Sequence, residues 1–84
     1  MNSKHLKTLE LVFFTPPKKN IKWSDVEKLI STVGGTIKQG NGSRIRIDLL
    51  GQSLNIHTPH PQKELKPYQV RALKKLFNDV GIHP

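Results

Sequence analysis

Residues 43–49, Ser43-Arg44-Ile45-Arg46-Ile47-Asp48-Leu49, alternate polar and apolar side chains strictly from Arg44 onward. A period of two marks a strand with one buried face. Ile45, Ile47 and Leu49 therefore look into a core, and Arg44, Arg46 and Asp48 look away from it. Leu50-Gly51-Gln52 reads as a hairpin turn, after which Leu54 and Ile56 point inward and Ser53, Asn55 and His57 outward. The two outward rows then share one sheet face. Thr58-Pro59-His60-Pro61 leaves the sheet as a rigid loop, since its prolines remove ladder donors and restrict the residues before them. Upstream, residues 36–39 begin another strand, which Gly40-Asn41-Gly42 turns back toward Ser43.

Helical patterns flank this meander. Residues 4–14 place Leu6, Leu9, Val12 and Phe13 at helical spacing before Pro16-Pro17, and Lys18-Lys19-Asn20 follows as a linker. A second helix is announced by Ser24 and Glu27 in a capping-box pattern, with Val26, Leu29, Ile30 and Val33 as its stripe and Gly34-Gly35 as its stop. A third starts near Pro67, buries Val70, Leu73, Leu76, Phe77 and Val80, and ends at Gly81. Phe13, Phe14 and Phe77 are assigned to the core, and Trp23 to packing. The fold class is α+β: a three-stranded antiparallel sheet with helices packed on one face and Arg44, Arg46 and His57 on the open one.

The chain has 84 residues, 14 Lys and Arg against 6 Asp and Glu, a net charge of +8 and no cysteine. That length excludes a two-domain enzyme, and the missing cysteine excludes disulfides, thiolate chemistry and cysteine-ligated zinc. No apolar run approaches the roughly 20 residues of a membrane span, so a cytoplasmic protein with no membrane partner is expected. Excess cationic charge attracts polyanions by counterion release, which points to nucleic acid or an acidic protein.

Few groups carry chemistry. His57 and His60 lie three apart around a proline turn, and Asp25, Glu27, Asp48, Glu64 and Asp79 are scattered, so no metal and no cofactor is expected. Nor is a small-molecule ligand. Residues 40–75 instead gather Arg44, Arg46, Lys63, Lys66, Arg71, Lys74 and Lys75 around the two histidines, with Tyr68 as an aromatic for stacking on a base. Histidine beside fixed cations suits acid-base cleavage of RNA: the 2'-hydroxyl gives up a proton, the leaving 5'-oxygen gains one, and a cation steadies the phosphorane.

Residues 23–35, Gly42-Ser43-Arg44, Pro59-His60-Pro61, Lys63-Glu64-Leu65-Lys66 and the closing helix to Gly81-Ile82 follow an order that resembles the HicA family. The resemblance covers residues 22–84 and implies an mRNA interferase, the toxin half of a bacterial toxin-antitoxin pair, with a fold like a double-stranded RNA-binding domain and a HicB-like antitoxin as partner. Residues 1–20 then form an N-terminal helical extension and linker, and residues 21–84 the RNA-binding and ribonuclease domain. One departure stands out. The family's usual catalytic histidine follows a Gly-Ser pair, and here Arg44 stands in that place, whose guanidinium stays protonated and makes a poor general base. The expected catalytic set is therefore His57, His60 and Arg44, with Arg46 helping to hold phosphate. The same substitution raises a second reading, a non-catalytic RNA-binding module. A DNA-reading helix-turn-helix is disfavoured, because the strand at residues 43–49 leaves no short turn before the basic helix.

Overall fold

The computed structural model describes residues 1–59 and 62–84. Its elements run α1 (Ser3–Phe13), α2 (Trp23–Thr32), β1 (Thr36–Gln39), β2 (Arg44–Leu49), β3 (Gln52–His57) and α3 (Pro67–Asp79). The strands form one antiparallel sheet in the order β1-β2-β3. In this meander Ile45 pairs with Ile56 and Ile47 with both Leu54 and Ile37, so the middle of one face is apolar, with Gln39 and Gln52 at its margins. Against that face α2 packs on β1 and α3 on β3, while α1 lies against both of these helices. The α+β arrangement read from the alternation is the one observed. No helix among the described residues is long and apolar enough to cross a membrane.

The core joins all three helices to the sheet. Leu9 and Val12 from α1, Val26, Leu29 and Ile30 from α2, and Val70, Leu73, Leu76 and Phe77 from α3 meet Ile45, Ile47, Leu49 and Ile56 in one cluster. Truncating a fully buried leucine or phenylalanine in such a core costs about 2–5 kcal/mol. Two aromatic and aliphatic assignments need correction. Leu6, on the expected apolar stripe of α1, is exposed, and Phe14, assigned to the core with the other phenylalanines, is 48% exposed because α1 ends one residue before it. Phe13 is half-buried against the core and meets the His83 ring edge-on at 5.8 Å.

The start of α2 also differs from expectation. Its N-cap is Lys22, and Ser24 sits inside the helix, so the Ser24–Glu27 pattern is not a capping box. Tertiary pairing decides the boundary: Trp23 N–H donates to the Lys63 carbonyl at 3.1 Å and Leu65 N–H to the Ile21 carbonyl at 2.8 Å. This bridge keeps the backbone extended through Lys22, and the helix begins at once after it. At the other end of α2, Gly35 is required for a different reason. A Cβ there would lie 2.6 Å from Ile30 Cγ2 and 3.2 Å from the Asp48 carbonyl, so only glycine lets the helix exit pass this close to β2.

The β2–β3 connection is a two-residue turn, Leu50-Gly51, with φ of 46° and 84°. Positive φ at both central residues gives the twist that a hairpin ribbon needs. Leu50 adopts it against its steric preference and leaves its side chain 65% exposed. Leu50→Asn should therefore stabilise the fold by about 1 kcal/mol, raising the melting temperature by roughly 4–8 °C in thermal unfolding.

Candidate functional site

Register brings the outward residues into rows. Arg44 lies directly opposite His57, Lys38 and Asn55 flank Arg46, and Thr36 and Ser53 flank Asp48. Side chains paired this way across antiparallel strands have Cβ atoms about 4.5–5.5 Å apart. Lys38, Arg44, Arg46, Asn55 and His57 consequently line one open depression of about 620 Å³ on the face away from the helices.

The end of this ribbon is held from two sides. Thr58 N–H donates to the Ser43 carbonyl at 2.8 Å, and Ser43 Oγ lies 3.2 Å from His57 Nδ1. The His57 backbone carbonyl accepts from Gln69 Nε2 at 2.7 Å, while Gln69 Oε1 accepts from Lys66 N–H at 2.9 Å. Gln69 is 2% exposed, and both ends of its amide are used. It caps the first turn of α3 and anchors the end of β3 in one stroke. With Nδ1 facing Ser43, the ring's Nε2 is the nitrogen left for a ligand, and no described residue bonds to it.

The two arginines of β2 differ. Arg46 Nε donates to Asp48 Oδ1 at 2.9 Å and its Nη2 to Ser53 Oγ at 3.1 Å, and Ser53 in turn donates to Asp48 Oδ1 at 2.6 Å. The Ser53 hydroxyl, with the Arg46 and Lys38 charges behind it, holds the Asp48 carboxyl below its ordinary value despite partial loss of hydration. Arg44 and Lys38 have no carboxylate within ion-pair distance among the described residues. They are the free cations of this face.

The other expected site residues lie elsewhere. Lys63 and Lys66 are exposed on the segment that bridges to residues 21–23, and Tyr68 is 58% exposed on the first turn of α3. Arg71, Lys74 and Lys75 border a different groove, between α3 and the end of α1, which shares no lining residue with the first. Lys75 is paired with Asp79 at 2.8 Å. His60 lies outside the described residues. The sequence does not mark Lys38, Asn55, Ser43 or Gln69 as site residues; for Lys38 and Asn55 the outward alternation of their strands is the available signal, and for Gln69 its place at the third position of α3, whereas the contacts of Ser43 and Gln69 with His57 depend on tertiary placement.

A small α+β domain with a histidine and free cations on an uncovered sheet is the class this geometry defines. The family model described as HicA toxin of bacterial toxin-antitoxin matches residues 23–82, from the start of α2 past the end of α3. The chain belongs to the HicA toxin family, and membership implies an antitoxin partner. Neither the curated proteins nor the solved structures gave a match.

Two outcomes follow for this region. Because the Asp48 pKa is lowered by folding, its contribution is complete above the ordinary value of 3.8 and is lost as pH falls through the folded value. The difference in melting temperature between the wild type and Asp48→Asn should accordingly be full at neutral pH and shrink as the pH is lowered below the ordinary carboxylate value. Gln69→Leu leaves the Lys66 N–H and the His57 carbonyl without partners, and urea unfolding should show a loss of about 1–3 kcal/mol.

Proposed function

We propose that this protein is an RNA-cleaving toxin that works by acid-base chemistry on the open sheet face. The observation that carries this reading is the cross-strand pair of Arg44 and His57, with the free cation Lys38 in the next row. His57 Nε2 takes the proton from a ribose 2'-hydroxyl, and the 2'-oxygen attacks the adjacent phosphorus. The bond from phosphorus to the 5'-oxygen breaks, and that oxygen takes a proton from the protonated His57 or from water. The products are a 2',3'-cyclic phosphate and a free 5'-hydroxyl. Arg44 and Lys38 stabilise the charge on the phosphorane oxygens, and Arg46, fixed by Asp48, adds a partly neutralised charge beside them.

In this reading the proton-transfer group stands on the strand facing the position where the family resemblance places it. Gln69 and Ser43 position it, one through the backbone carbonyl and one through Nδ1. The target is mRNA, and a HicB-like antitoxin neutralises the toxin by covering the basic face, a role that suits an acidic surface. A second reading rests on Arg44 itself: a permanently protonated group after Gly42-Ser43 suits an RNA-binding module that has kept affinity and lost cleavage.

Cleavage of single-stranded RNA by the purified chain in excess chelator separates the two. His57→Ala should lower the rate by about 10²–10⁴-fold with RNA affinity largely kept, and Arg44→Ala by about 10²–10³-fold. An unchanged rate in the His57 variant would remove that residue from the chemistry. RNA binding without cleavage in the wild type would establish the binding module.

A further inference from the structure

The second groove is built unlike the first. It has a volume of about 600 Å³ and runs between α3 and the segment that follows α1. Val12 and Val70 form its floor, and Phe14 and Pro17 one wall. The opposite wall is cationic: Arg71, Lys74, Lys75 and Asn78 lie at i, i+3, i+4 and i+7 along one stripe of α3. Arg71 and Lys74 have no acidic partner among the described residues, whereas Lys75 is paired with Asp79. On the apolar side, Phe14 remains 48% exposed, with the Lys18 ammonium 4.5 Å from its ring centroid. A large aromatic held out of the core at the mouth of a groove is apolar surface available to a partner.

We propose that this groove docks an acidic peptide segment of a partner protein, with an apolar side chain as its anchor. One wall offers fixed positive charge to carboxylates, and the other offers the exposed Phe14 ring and the half-buried Pro17 to the anchor. A phosphodiester strand matches less well, because its charges would meet cations on a single wall and apolar carbon on the other. A second copy of the chain is disfavoured by its own charge of +8. Five of the eleven residues that line the groove come from residues 12–17, which precede the family match at residues 23–82, so one side of it is a feature of this chain beyond the matched region. The inference rests on the toxin-antitoxin reading only in taking a protein partner to exist.

The test is a nuclear magnetic resonance titration of the full isotope-labelled chain with three probes. One is an acidic peptide of about twelve Glu and Asp residues interrupted by two leucines, the second has serines in place of the leucines, and the third is a short single-stranded RNA. The leucine peptide should move the amides of Phe13, Phe14, Val70 and Lys74 and bind at least about tenfold more tightly than the serine peptide. Arg71→Glu with Lys74→Glu should weaken it by about tenfold or more, and Phe14→Ser, at an exposed position, should do so without touching the charge. Equal binding of the two peptides, or shifts on the amides of Arg44, Arg46 and His57, would overturn the groove as a docking site. So would RNA shifts centred on the groove, which would make it a nucleic-acid surface. RNA shifts confined to the sheet face test the proposed function separately, so either reading can fail while the other stands.

Discussion

The pairing of β2 with β3 is the constraint on which the molecule depends. Side chains along a strand alternate between faces, so a slip of one residue would expose Ile45, Ile47 and Leu49 and bury Arg44 and Arg46. Each of those apolar side chains contributes about 1.5–3 kcal/mol when fully buried, and the charged ones cannot follow them into the core unpaired. The tight turn at Leu50-Gly51 fixes one end of the ribbon. The Thr58–Ser43 hydrogen bond fixes the other. What the covered face buries thus determines which residues the open face presents.

Much of this was legible in the sequence because a period of two in β2 and a period near 3.6 in α2 and α3 record burial residue by residue. The inward set of Ile45, Ile47, Leu49 and Ile56 and the outward row of Arg44, Arg46 and His57 needed nothing more. Periodicity does not say how wide a stripe its neighbours will cover, which is why Leu6 fits the apolar spacing of α1 and is still exposed, and an aromatic side chain alone does not guarantee burial, as Phe14 shows. Nor does it reveal boundaries set by distant chain. Ser24 looks like a cap locally, but the pairing of residues 21–23 with 63–65 starts the helix earlier. Gln69, three residues after Lys66 and behind Pro67, stands at a position that can cap α3 locally, but its second bond, to the His57 carbonyl, becomes visible only in the fold.

Charge was the property that sequence resolved least. Its total pointed to an anionic partner, yet the cations of residues 40–75 form one group only along the chain. In space they separate into the open sheet, the exposed 63–66 segment and the α3 groove, and some are already spent: Arg46 on Asp48 and Lys75 on Asp79. The unpaired cations of the two grooved surfaces, Arg44 with Lys38 on one and Arg71 with Lys74 on the other, are a far more selective description than a net value. Two surfaces of different texture, one polar with a histidine and one half apolar, follow from that division.

The family match begins at Trp23, but the core does not. Leu9 and Val12 of α1 are fully buried among residues of α2, α3 and the sheet. A chain shortened to the matched region would lose both side chains from that cluster and leave the apolar surfaces of α2 and α3 that they cover facing water, so the sheet is held in place partly by a segment that lies outside the match.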